Sequence, residues 1–116
     1  MYTRGDKLTV NVKPHAQNGE GQAVMKHLIS AEQFCGHGSL FAHITLEKGS
    51  SVGWHVHTGE SETYYVIKGQ ALFNDNNKEE VVLNVGDVSY TASGEGHSIK
   101  AISDEPLEFI AMIVKA

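Results

Sequence analysis

Two histidines separated by one residue, His55 and His57, with a glutamate, Glu62, a short turn later, are the part of this sequence best suited to chemistry. Side chains of an extended segment alternate between faces, so residues two apart point the same way. His55 and His57 therefore present two imidazoles to one side of a sheet, while Trp54 and Val56 face the other. Thr58 to Ser61 form a turn that leads to Glu62 at the start of the next extended run. If that run pairs with the histidine strand, Glu62 returns to the same interior and three donors share one wall. Imidazole nitrogen with carboxylate oxygen suits one divalent transition metal ion: manganese, iron, cobalt, nickel, copper or zinc. Two histidines and one carboxylate on one side of an ion leave coordination positions open, as catalysis requires. The fourth donor is expected at His97, on the opposing wall. It follows Gly94-Glu95-Gly96, whose glycines permit close backbone approach, and it begins a strand.

The elements that must hold these groups are short and extended. Leu8, Val10 and Val12 alternate with polar neighbours as a first strand closed by Pro14, and Ala23 to Ile29 is a second. Gln17 to Gly21 between them is a polar, glycine-rich loop. Ser30 and Gln33 have capping-box spacing and predict a single helical turn. Leu40 to Leu46 is a strand, Gly49 to Gly53 a flexible turn into Trp54 to His57, and Glu62 to Lys68 a strand rich in Thr, Tyr, Val and Ile. Ala71 to Phe73 and Val81 to Val85 flank the polar turn Asp75-Asn76-Asn77-Lys78 as a hairpin. Val88 to Thr91 and His97 to Ile102 follow glycine-bearing turns. Leu107 to Val114, the longest apolar run, is predicted to be a fully buried strand. Some nine or ten strands with no repeat or linker predict an all-β fold, either a barrel or two packed sheets.

At 116 residues the chain has room for one domain with one core. A net charge of −5 with scattered lysines offers no basic footprint for nucleic acid and no patch for an anionic membrane. No apolar run approaches the ~20 residues that span a bilayer. Met1 to Pro14 lacks the apolar stretch of a signal peptide, so cytoplasmic residence is expected. Cys35 is the sole cysteine, which excludes an intrachain disulfide and a thiolate cluster; it reads as an inert, partly buried small residue.

The run Gly49-x5-His55-x-His57-x4-Glu62-x6-Gly69 resembles the first metal-binding motif of the cupin superfamily at every fixed position. Gly86-x7-Gly94-x2-His97 is similar to the second, except that the family usually has proline at Ala92 and asparagine at Ala101. The two motifs and their spacer cover nearly half of the chain. The resemblance implies a conical double-stranded β-helix, a jelly-roll barrel, as one domain over residues 1–116, with N-terminal strands and loops over 1–38 and the barrel core over 39–116. It implies metal ligation by His55, His57, Glu62 and His97. It also selects Glu62 over Glu60, which lies in the turn and reads as a solvated charge.

Strand parity directs Tyr64 and Val66 into the barrel and Tyr65 and Ile67 outward. Tyr64 is the candidate catalytic group, as a proton donor or, with its pKa depressed by the ion, as a base; its alternative is a packed tyrosine with one hydrogen-bond partner. His43, on the preceding strand, either lines the pocket or faces solvent. His15, His27 and His37 need no special role, and Phe41, Trp54, Tyr90 and Phe109 read as core or interface aromatics. The function expected is that of a metal-dependent enzyme acting on a small oxygen-rich molecule, a carboxylate or sugar-like compound. The resemblance offers dioxygenase, decarboxylase, lyase and isomerase chemistry. No basic cluster near the motifs suits a sugar phosphate, and oxalate decarboxylases of the family typically join two barrels. The alternative is a non-catalytic module that binds a small ligand. In either case the apolar C-terminal strand and exposed aromatics would suit a homodimer.

Overall fold

The computed structural model describes residues 1–116. Ten strands build it: β1 (Val10–Pro14), β2 (Gln22–His27), β3 (Gly38–Leu46), β4 (Ser51–Val56), β5 (Glu60–Lys68), β6 (Ala71–Asp75), β7 (Glu79–Leu83), β8 (Val88–Thr91), β9 (Gly96–Ala101) and β10 (Leu107–Lys115). They form a six-stranded sheet in the order β1-β2-β3-β10-β5-β8 and a four-stranded sheet in the order β4-β9-β6-β7, antiparallel throughout. The chain crosses from one sheet to the other after β3, β4, β5, β7, β8 and β9, which is the jelly-roll way of closing a barrel from two sheets. Short 3₁₀ turns complete it. The one at Ala31–Phe34 has the predicted cap, with the Ser30 amide donating to Gln33 Oε1 at 2.9 Å. No helix is long and apolar enough to cross a membrane.

Alternation decides which side chains meet between the sheets. Ala42, Ile44 and Leu46 of β3, Tyr64 and Val66 of β5, and Leu107, Phe109 and Ala111 of β10 face Ala71 and Phe73 of β6 and Ile99 and Ala101 of β9. Phe109 and Leu46 are fully buried, each contributing about 1.5–3 kcal/mol by leaving water. This packed half closes one end of the barrel. The polar ligand residues lie towards the other.

Four local expectations change. β1 is the outermost strand of its sheet, so Val10 and Val12 are half exposed and Leu8 falls outside the strand. β4 begins at Ser51, inside the stretch expected to be a turn. Gly53 and Trp54 together oppose Ser98, because the register steps from Val52↔Ile99 to His55↔His97. That bulge resets parity, so Val52 and His55 both face inward although three residues apart. β10 alternates instead of being fully buried: Leu107, Phe109 and Ala111 are covered, while Met112 is 38% exposed. Cys35 is exposed rather than partly buried, in the turn that enters β3.

Candidate metal centre

β4 and β9 place His55 directly opposite His97. His57 lies one residue beyond β4, yet backbone pairing continues there: the His57 amide donates to Glu95 O and the Gly94 amide donates to His57 O. Its imidazole thus stays on the inner face, 5% exposed. Glu62 arrives from the six-stranded sheet. β5 pairs with β10 and β8 and not with the histidine strand, so the anticipated arrangement is reversed. The three histidines share one wall, and Glu62 faces them from the other. The physical reason is the Thr58–Gly59 turn, which carries the chain across the barrel mouth instead of folding it back as a hairpin.

The donor atoms converge. His97 Nε2 lies 3.1 Å from both His57 Nε2 and His55 Nε2. Glu62 Oε1 lies 2.9 Å from His57 Nε2, 3.0 Å from His97 Nε2 and 3.9 Å from His55 Nε2. The Nδ1 atom of each ring is engaged elsewhere. His55 Nδ1–H donates to Gly53 O at 2.7 Å and His57 Nδ1–H to Glu60 Oε1 at 3.0 Å, while His97 Nδ1 lies 2.8 Å from Thr91 Oγ1. The Gly53 carbonyl and the Glu60 carboxylate can only accept, which assigns the Nδ1–H tautomer to His55 and His57 and turns their Nε2 lone pairs inward, while the Thr91 hydroxyl fixes the His97 ring as donor or acceptor. Imidazole nitrogens facing each other at that distance share either a proton or a metal cation. The donor set therefore fits a divalent ion, held by His55, His57, Glu62 and His97.

Electrostatics agree with that use. Glu62 is held down at about 2: burial opposes its charge, but the surrounding His55, His97 and His57 outweigh it. Burial lowers His97, against the pull of Glu62. His55 is raised, since Glu62 and the Gly53 carbonyl overcome its desolvation. Burial first, and then Glu62, push the Tyr64 phenol well above its ordinary value.

A cavity of about 220 Å³ opens onto the site, lined by His55, His57 and Glu62 with Tyr64, and walled by apolar groups such as Met25 and Ile113. His97 is fully buried behind them. Tyr64 is directed inward as parity predicts, its ring stacked on His97 and its hydroxyl 3.4 Å from His97 Nε2. Val66 shares that interior, and Tyr65 and Ile67 face out. His43 points away from the cavity and pairs with Glu108 at 2.7 Å on the outer face of β3 and β10. Glu60 is not a free solvated charge: it opens β5 and fixes the His57 ring. The backbone carbonyl of Gly53 and the hydroxyl of Thr91 do the same for the other two rings. No residue-type pattern announces such roles; only the spacing of Glu60 three residues after His57 hinted at one. The Ala92 amide, which proline would lack, donates to Glu95 Oε1 at 2.9 Å and closes the turn before His97.

The family model described as "Cupin domain" matches residues 42–113. The chain is 41% identical over 114 residues to a protein of Thermotoga maritima named "Oxalate-binding protein", covering 98% of this chain and 93% of that one. A crystal structure from Thermotoga maritima, described as a predicted oxalate decarboxylase, superposes with a TM-score of 0.94 at 40% identity, covering all of both chains. An RmlC-like cupin from Shewanella frigidimarina superposes at 0.72 with 17% identity over 99% of this chain and 90% of that one, a likeness of fold alone.

Proposed function

Since the chain belongs to the cupin family, we propose that it acts as one domain that binds a divalent transition metal ion through His55, His57, Glu62 and His97 and, through the ion, a small carboxylate of the oxalate type. One observation carries the reading: four donor atoms converge at the inner end of a cavity large enough for a molecule of that size. The name of the Thermotoga maritima relative supports oxalate as the first ligand to test. Four of the donor separations are 2.9–3.1 Å and that of His55 Nε2 from Glu62 Oε1 is 3.9 Å, a set that suits a divalent ion without choosing among manganese, iron, cobalt, nickel, copper and zinc. Donors ~2.1 Å from an ion lie ~3.0 Å apart at right angles and ~3.4 Å apart in a tetrahedron. When bound, the ion supplies positive charge and open positions for carboxylate oxygens.

Enzymatic turnover goes one step further, and the position of Tyr64 favours it. The conversion of oxalate to formate and carbon dioxide consumes one proton. The Tyr64 hydroxyl borders the cavity, is protonated at neutral pH and sits beside the ligand set, so it is the proton donor of this reading. The non-catalytic alternative is a module that holds the carboxylate unchanged. Calorimetric titration of the metal-loaded protein with oxalate, alongside a formate assay, tests both. Binding that disappears in His57→Ala supports the site, formate production selects the enzyme, and no metal-dependent binding overturns the proposal. A second copy of the chain is the partner expected at the outer face of the six-stranded sheet, where Tyr65, Ile67, Val88, Tyr90 and Met112 are exposed on adjoining strands.

A further inference from the structure

We infer that Lys13 is the residue that makes the cavity select a doubly charged carboxylate over a singly charged one; this rests on the carboxylate reading above. Lys13 pairs with Ala23 in the β1–β2 ladder, and β2 pairs in turn with β3 so that Met25 meets Ile44. Cross-strand partners share a face, so Lys13 lies on the inner side of the six-stranded sheet with Ala23, Met25 and Ile44, the side that carries Glu62 and Tyr64. It lines the same cavity as the ligands and is the only lysine or arginine that does. No carboxylate lies within ion-pair distance of its ammonium, and of the two carboxylates that line the cavity Glu60 is bonded to His57 and Glu62 faces His57 and His97.

Charge counting shows what this lysine changes. The two positive charges of an ion are matched by the carboxylates of Glu62 and Glu60, leaving the neutral imidazoles to add nothing. Without Lys13 only the ion attracts the ligand, and the far carboxylate of a dianion has no second cation to pair with. With Lys13, an exposed residue of the cavity lining, the cavity carries one net positive charge. A dianion is then held at both ends, by the ion within and the ammonium outside.

The backbone beyond Lys13 is shaped to keep it there. His15, Gln17 and Asn18 all have left-handed φ values, 49°, 51° and 62°, and Gln17 lines the cavity too. Three such conformations in non-glycine residues within four positions persist only where surroundings enforce them, and they gather at ligand clamps. Here the enforcing contact is visible: a Cβ on Gly53 would lie 2.2 Å from Gln17 O, so only glycine lets this segment close onto the β4 bulge. The same Gly53 carbonyl accepts the His55 hydrogen bond, so the segment above the cavity and the ligand beneath it share one anchor.

The test compares manganese-loaded wild type, Lys13→Met and Lys13→Arg by calorimetric titration with oxalate and with glycolate, a singly charged acid of similar size, and measures metal content in each. Expected is roughly a tenfold loss of oxalate affinity in Lys13→Met, little change for glycolate, recovery in Lys13→Arg, and full metal content throughout. Wild-type binding of oxalate that Lys13→Met matches within twofold overturns the role of Lys13 while leaving the carboxylate reading intact. Equal losses for both acids also overturn it, as selection by charge would be absent. Binding of neither acid by wild type overturns the carboxylate reading and this inference together.

Discussion

His55 and His97 stand opposite each other on neighbouring strands with their Nε2 atoms 3.1 Å apart. An ion in that gap would take one bond from each ring. The folded protein is therefore expected to gain about 2.7 kcal/mol when free metal stands at a hundred times its dissociation constant. A chelator should lower the melting temperature, and restored metal should return it. His57→Ala should lose most bound metal while keeping its β-sheet circular dichroism; unchanged metal content by elemental analysis would sink the assignment.

Glu60 touches no ion in this arrangement, yet its removal should be felt. Glu60→Ala frees the His57 ring to rotate and to shift its proton, and metal affinity is expected to fall about 10–100-fold. Glu60→Gln keeps an acceptor in place and should lose less. Competitive titration against a fluorescent chelator separates the two variants, and equal affinities in all three proteins would refute the positioning role.

Acid should act on the metal-free protein through Glu62 above all. Its folded pKa, about 2, lies below its ordinary 4.5, so its stabilising contribution is complete above the ordinary value and is lost as pH falls from there towards 2. His97, also lowered, adds a loss as pH drops below 6.5, whereas His55, raised, contributes below 6.5 and loses that contribution as pH rises through its folded pKa. Melting curves across acid pH should steepen their decline in the Glu62 window, and Glu62→Gln should flatten it. Metal affinity has its own onset. The raised pKa of His55 sets a proton in competition with the ion already above pH 6.5.

Tyr64→Phe keeps the ring that packs on Phe109 and His97 and removes only the hydroxyl. Stability should change by less than ~1.5 kcal/mol. Metal and carboxylate binding should remain. If the protein turns its ligand over, kcat should fall with KM nearly unchanged; a variant that turns over at the parent rate removes Tyr64 from the chemistry.

A paired Tyr65→Lys and Met112→Lys change puts charge into the exposed apolar face of β5 and β10. Light scattering should register a dimer for the parent and a monomer for the variant. A monomeric parent would leave that face without the proposed occupant.

The His55–His57 pair was legible because its signal is local, one-residue spacing putting two imidazoles on one face, whereas Glu62 over Glu60 and the distant His97 rested on the resemblance to a family motif; parity alone sorted Tyr64 and Val66 from Tyr65 and Ile67. The sheet to which Glu62 belongs was not legible, since strand pairing is settled by contacts distant in sequence, and the Thr58–Gly59 turn suits a hairpin as well as a crossing. Glycine is equally ambiguous: Gly53 reads as a turn, but its missing side chain serves a bulge and a close approach by Gln17. Alternation in β1 marked two faces without saying which would be covered, and on an outermost strand Val10 and Val12 are not. Lys13 looked like one of several scattered lysines. Only the β1–β2–β3 register brings it over the cavity.

The division of the ligands between two sheets has a mechanical consequence. With Cys35 alone, the chain cannot form a disulfide within itself, yet an ion held by Glu62 on one side and by His55 and His97 on the other would tie together segments as far as 42 residues apart. Such a tie withdraws freedom from the unfolded chain as a covalent cross-link does, but it forms and opens with the supply of metal. Cellular metal would then govern the lifetime of the protein against proteolysis as well as the occupancy of its pocket.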